Sequence, residues 1–137
     1  MNIQNLTLKN YYGFTLKATY QGEKEPKCFD DNRSRSHTHH VITVKNNETG
    51  KKLHFDFWNS ILNPQITDTE ELKWAFQGYL TDCLVAMETY EDFISGFGYD
   101  DDKDSKRVYK ECQCALKKLE RIYDGDILEL YNTVNGW

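Results

Sequence analysis

The sequence predicts an α+β fold: a small antiparallel sheet of three or more strands from the N-terminal half, packed with three or four helices from the C-terminal half. Three observations carry this. Apolar residues alternate with period two over Phe14–Tyr20, the mark of a half-buried strand. Two β-rich segments flank the turn-forming stretch NNETG, a hairpin pattern. From residue 68 onward the apolar period changes to that of a helix. Strands come first and helices after, so a parallel βαβ arrangement is disfavoured. A chain of 137 residues fits a single domain, 1–137, able to bury a core without staples.

Taken in order, Ile3, Leu6 and Leu8 open a strand or a short helix. In the next strand Phe14, Leu16, Ala18 and Tyr20 share one side, and Gln21-Gly22-Glu23 is expected to turn the chain out of it. Glu23 to Ser36 is polar, contains Pro26 and reads as an exposed loop. His40–Lys45 is rich in β-branched residues. After the turn, Leu53, Phe55 and Phe57 fall on one face of a further strand, and His54, Asp56 and Trp58 on the other.

The connector from Asn59 to Gln65 contains Pro64. Thr67-Asp68-Thr69-Glu70 then has the form of a capping box, with the Thr67 hydroxyl as the expected cap. The spacing predicts a helix over 68–87, with Leu72, Ala75, Phe76, Tyr79, Leu80, Cys83, Leu84 and Met87 on one face. Trp74 lies off that face, as a rim residue or an exposed anchor. Thr89 is placed to cap a short helix carrying Tyr90, Phe93, Ile94 and Phe97, and Gly98 to end it. A third helix is predicted over 105–123, with Val108, Cys112, Ala115, Leu116, Leu119, Ile122 and Tyr123 facing inward. A last short helix covers Ile127, Leu128, Leu130 and Tyr131.

The formal charge is −5, which argues against a general phosphate-neutralising surface and against direct non-specific DNA binding. It suits docking on a basic, nucleic-acid-handling partner. No apolar run approaches the ~20 residues that span a bilayer, and MNIQNLTLKN has no charged-then-apolar signal pattern. A cytoplasmic location is expected, with free thiols. Cys112 and Cys114 project about 200° apart on a helix and cannot bridge each other. Cys83 and Cys112 fall on apolar faces, and Cys114 on a polar one.

Two groups of residues invite a metal reading. Asp100, Asp102, Asp104 and Glu111 stand at positions 1, 3, 5 and 12 of a calcium-loop pattern. Ser105 stands where that loop needs Gly for its sharp turn, Arg107 occupies a usually apolar position, and Glu111 falls inside the predicted helix. An acidic cluster at a helix N-terminus explains the same residues. Cys28, His37, His39 and His40 have zinc-binding chemistry, but no second Cys lies nearby and the spacing is not that of a finger. Neither metal nor cofactor is expected. Nor is catalysis: the glycines are isolated, and no Cys/His motif or paired carboxylate stands out.

The segments HHVITVKNNETGKKLHFDFWNSI, ELKWAFQGYLTDCLVAMETYEDFISGFGYDDD and KRVYKECQCALKKLERIY, with their F-x-F-W-x-S and F-x-x-x-x-G-Y-D patterns, resemble a group of small proteins encoded by phages and mobile elements of bacteria. The resemblance covers roughly residues 37 to 131 and carries no catalytic signature. Some such proteins are anti-CRISPR inhibitors. It therefore implies a stoichiometric inhibitor of a host defence nuclease, a Cas effector or its guide-RNA complex, acting in the bacterial cytoplasm. It assigns no functional residue. The alternatives are a metal- or thiol-dependent enzyme acting on nucleic acid, and an accessory regulator that binds a protein. Six carboxylates, Glu91, Asp92, Asp100, Asp101, Asp102 and Asp104, fall within fourteen residues. They are the expected contact for a basic partner surface. Arg33 and Arg35, in the basic stretch that ends at His40, are a separate candidate surface.

Overall fold

The computed structural model describes residues 5–24, 37–60 and 68–136. It has a four-stranded antiparallel sheet in the first half of the chain and four helices in the second, an α+β fold. The chain falls into two compact units, residues 1–75 and 76–137. No helix among the described residues is long and apolar enough to cross a membrane.

In the first unit, β1 (Asn5–Tyr11), β2 (Phe14–Lys24), β3 (His37–Asn46) and β4 (Lys52–Ser60) lie in the sheet in chain order. Alternation sorts the side chains. Phe14, Leu16, Ala18, His40, Ile42, Val44 and Leu53 occupy one face and are buried. Each large aliphatic or aromatic side chain buried there contributes about 1.5–3 kcal/mol. The opposite face carries Lys17, Thr43, Lys45, His54 and Asp56.

From Asn5 onward the first segment is strand, with Leu6 paired to Ala18 and Leu8 to Leu16, while Ile3 lies outside the described residues. β2 does not turn out at Gln21. It runs on to Lys24, with a register shift between Tyr20 and Gly22 that lets it stay paired with β3 as far as His37. A bulge absorbs one residue without ending a ladder, so the polar composition there misleads. The rest of the expected loop, 25–36, lies outside the described residues.

Asn47 fastens the two hairpin turns to each other. Its amide donates to the Gly13 carbonyl at 3.0 Å. Its side chain accepts from Thr15 Oγ1 at 2.6 Å and donates to Asn10 Oδ1 at 3.2 Å. Asn10 and Tyr12 both have positive φ, 59° and 50°. Asn tolerates that region better than most residues, and Tyr does so at a cost.

α1 (Thr69–Ala86) begins in the first unit and ends in the second. The Asp68 carboxylate caps it, accepting the Glu71 amide at 3.0 Å. The cap is thus one residue later than expected, because Asp is as good an acceptor as Thr. Thr67 lies outside the described residues. Leu72, Ala75, Phe76, Tyr79, Leu80 and Cys83 are buried as the period requires, but Leu84 is half-buried and Met87 exposed. Trp74 is 62% exposed.

In the second unit, α2 (Tyr90–Phe97) buries Phe93. α3 (Lys103–Ile122) buries Ser105, Cys112, Leu119 and Ile122. α4 (Ile127–Val134) buries Ile127, Leu130 and Val134, and the Asp126 side chain caps it through the Glu129 amide. The Tyr79 hydroxyl donates to the Ala115 carbonyl at 2.7 Å and ties α1 to α3. The buried stripe of α3 departs from expectation at its start. Val108 is 38% exposed, while Tyr109 is half-buried. One residue turns a helix by about 100°, and the stripe runs through Tyr109 and through Ser105, which does not register as apolar.

Candidate functional site

Thr89 and Gly98 bracket α2, as the sequence predicts. The Thr89 hydroxyl accepts the Asp92 amide at 3.2 Å. At the other end Gly98 takes a left-handed conformation, φ 69°, which costs glycine nothing. The Tyr99 amide then reaches back to the Ile94 carbonyl at 2.8 Å, closing a Schellman turn. That turn swings the Tyr99 ring against Phe93, with centroids 5.6 Å apart, and stacks it on Phe97 at 5.4 Å and 18°.

Five rings gather here. Phe93 is buried and touches Tyr90, Phe97, Tyr99 and Tyr109. Tyr109 meets Tyr90 edge-on at 5.6 Å, and its hydroxyl donates to the Glu88 carbonyl. The outermost two rings, Phe97 and Tyr99, are 53% and 49% exposed.

Carboxylates lie beside Tyr90, another ring of this cluster. The Tyr90 hydroxyl donates to Asp101 Oδ1 at 2.8 Å, which joins the start of α2 to the loop before α3. The Tyr90 phenol is pushed up to about 12, first by desolvation, then by its bond to Asp101 and the negative charge of Asp101, Asp102 and Glu91. Asp102 caps α3, accepting the Ser105 amide at 2.9 Å. That bond leads the causes that hold its carboxyl below the usual range. The Ser105 hydroxyl donates to the Asp100 carbonyl at 2.6 Å and fixes the loop from inside. Asp101 lies 3.6 Å from Lys106, and Asp104 lies 3.6 Å from Arg107.

The expected contact residues therefore divide by role. Asp101 and Asp102 hold the α2–α3 junction together, and both remain exposed. Glu91 and Asp92 lie exposed in the first turn of α2, and Asp100 and Asp104 are exposed beside the cap of α3. Arg33 and Arg35 lie outside the described residues. The sequence missed Phe97 and Tyr99 as surface groups. Helical period places Phe97 with Phe93 and predicts burial for both. The signal that could have found them is the Phe97-Gly98-Tyr99 order, because a left-handed glycine between two aromatics folds one ring over the other.

The metal candidates separate. Asp102 caps α3, whereas Glu111 lies well inside that helix. His39 and His40 project from opposite faces of the sheet. His39 Nε2 lies 2.7 Å from Asp56 Oδ1, and His40 is buried beside Tyr20, with ring centroids 5.4 Å apart. Cys28 lies outside the described residues. Among the described residues no three His, Cys, Asp or Glu side chains are grouped to hold an ion. Cys83 and Cys112 are buried free thiols, pushed up to about 12 and about 11, chiefly by burial, while Cys114 is exposed.

Charge is divided between the units. Residues 76–137 hold 13 Asp and Glu against 7 Lys and Arg, whereas residues 1–75 hold 9 against 10. The whole negative balance of the chain thus belongs to the unit that carries the exposed rings. No protein family, curated protein or solved structure matches the chain.

Proposed function

We propose that the second unit is a docking module for a basic protein surface, and that the protein acts by binding rather than by catalysis. The observation that supports this most is the exposed Phe97–Tyr99 stack on the same stretch of chain that carries the exposed carboxylates Glu91, Asp92, Asp100 and Asp104. Aromatic faces and carboxylates together suit Arg and Lys side chains. The rings offer cation–π contact, about 0.5–1 kcal/mol at an exposed site and about 2 when desolvated. The carboxylates offer charge-assisted hydrogen bonds. The cap at Asp102 and the Tyr90–Asp101 bond hold the loop in place, so little ordering entropy is lost on contact.

Partners with such basic surfaces include enzymes that hold nucleic acid in positively charged channels. Together with the resemblance to phage and mobile-element proteins, this gives the specific reading: a stoichiometric inhibitor of a Cas effector in the bacterial cytoplasm, needing no cofactor. The test is a cleavage assay against a panel of guide-loaded effectors, titrated with the protein. Inhibition complete near one protein per effector is expected. Inhibition by trace amounts of protein would favour an enzyme and overturn the reading, as would the absence of any inhibited effector.

A further inference from the structure

We propose that the outward face of α3 lies along the phosphate backbone of a nucleic-acid duplex. Residues 76–137 are acidic, yet all seven of their Lys and Arg residues fall on α3. Five of them form a stripe: Lys103, Arg107, Lys110, Lys117 and Arg121, with Cys114 in its gap. Steps of 4, 3, 4, 3 and 4 residues separate these six positions. At about 100° per residue, all six fall within roughly 40° of one line, which runs for about 27 Å. All six side chains are exposed. The buried residues Ser105, Cys112 and Leu119 project roughly 160–200° away, so the stripe stands opposite the core. The carboxylates of α3, Asp104, Glu111 and Glu120, project to the sides, and none lies on the stripe.

A merely solvated helix face mixes both signs at i,i+4 spacing and gains from the pairs. This one sets Lys103 against Arg107 and Lys117 against Arg121, which weakens the helix, and Lys103 opposes the dipole at the first turn. Among the described residues only Arg107 of the stripe has an ion-pair partner, Asp104 at 3.6 Å. A straight row of like charges matches a straight polyanion. The duplex is favoured over a single strand because the stripe has no ring on which unpaired bases could stack, whereas a duplex presents its phosphates outward. A membrane would need the apolar face of α3, and that face is buried in the core. An antiparallel second copy would set Lys103 against Arg121. An acidic protein would find no aromatic anchor on the stripe. The charge of −5 argues against a general phosphate-neutralising surface, and α3 confines one to a single helix face. Such a contact is weak and steeply salt-dependent, and it carries no sequence preference. It does not depend on the docking surface proposed above, since free duplex is the probe.

The experiment is fluorescence anisotropy of short labelled DNA and RNA duplexes of mixed sequence, titrated with the full chain from low to physiological salt. Five phosphate contacts at roughly 0.9 each give an expected log–log salt slope of about −4.5. Lys110→Glu/Lys117→Glu is expected to weaken binding about tenfold or more, since two phosphate contacts become repulsions. Lys17→Glu/Lys52→Glu makes the same change in net charge on exposed positions of the sheet and is expected to lose far less. A second readout needs no variant. Cys114 is exposed in the middle of the stripe, so saturating duplex is expected to slow its alkylation, followed by peptide mass spectrometry. No binding to either duplex at low salt, equal losses in the two variants, tighter binding of a single strand or of polyglutamate, or unchanged labelling of Cys114 would each overturn the proposal. Should Lys110→Glu/Lys117→Glu fail to fold, the salt slope and the Cys114 protection of the wild type still decide it.

Discussion

Asp102 serves the fold and the surface at once, and the two roles lead to different variants. As the cap of α3 it contributes stability in its ionised form. Its carboxyl is held below the usual value, so that contribution is present above the unfolded value of roughly 3.9 and is lost as pH falls through the folded one. Reversing Asp101 and Asp102 to Lys would seem a clean test of charge, but it would remove a cap and the Tyr90 acceptor together. Glu91→Lys and Asp100→Lys alter the same surface without touching either bond. His40 behaves in the same direction at higher pH. Burial, and then the neighbouring His39, lower its value, so its contribution is complete above roughly 6.5 and is lost as pH falls through and below that. A thermal midpoint that drops between pH 7.5 and pH 5.5, with a smaller drop in His40→Leu, is the expected outcome. Equal drops in the two proteins would assign the effect elsewhere. Alkylation followed by peptide mass spectrometry is expected to label Cys114 ahead of Cys83 and Cys112, whose burial suppresses the thiolate. Faster labelling of either buried thiol would contradict the packing.

Among the elements, α3 separates what the sequence discloses from what it does not. Leu119 is wholly buried, and Leu119→Ala should cost roughly 2–5 kcal/mol. Val108→Asp should stay within about 0.5 kcal/mol, as exposed substitutions do. A calorimetric comparison of the two checks both. Equal losses would restore Val108 to the core. The type and order of the elements were legible because period two and period 3.6 are imposed by backbone geometry. The start of the α3 stripe was not, since Ser105 is buried through hydrogen bonds and Tyr109 through its ring. The extension of β2 past Tyr20 was hidden for a related reason: a bulge depends on the partner strand, which local composition does not report. Thr89 and Gly98, by contrast, act within their own helix and were read correctly. Thr89→Ala should destabilise α2 by about 1 kcal/mol, seen as a lower denaturant midpoint with an unchanged slope.

For the whole molecule, the net charge of −5 conceals an uneven distribution: residues 76–137 are strongly acidic and residues 1–75 are close to neutral. A single net charge, read along the chain, gave the sign of the expected partner but not the location of the contact. The acidic cluster was legible because its residues lie close together along the chain. The exposed rings that lie between its two acidic runs in sequence were not, because a turn at Gly98 is what stacks Tyr99 on Phe97. The central claim, that this acidic and aromatic surface binds a basic protein, is tested most directly by association kinetics with an inhibited effector at low and high salt. The comparison is between the wild type, Glu91→Lys/Asp100→Lys, and Phe97→Ala/Tyr99→Ala. Charge complementarity acts mainly on encounter, and packed rings mainly on residence. The account predicts slower, less salt-sensitive association for the charge variant and faster dissociation for the ring variant, both with circular dichroism unchanged. Unaltered rates in both variants would contradict it.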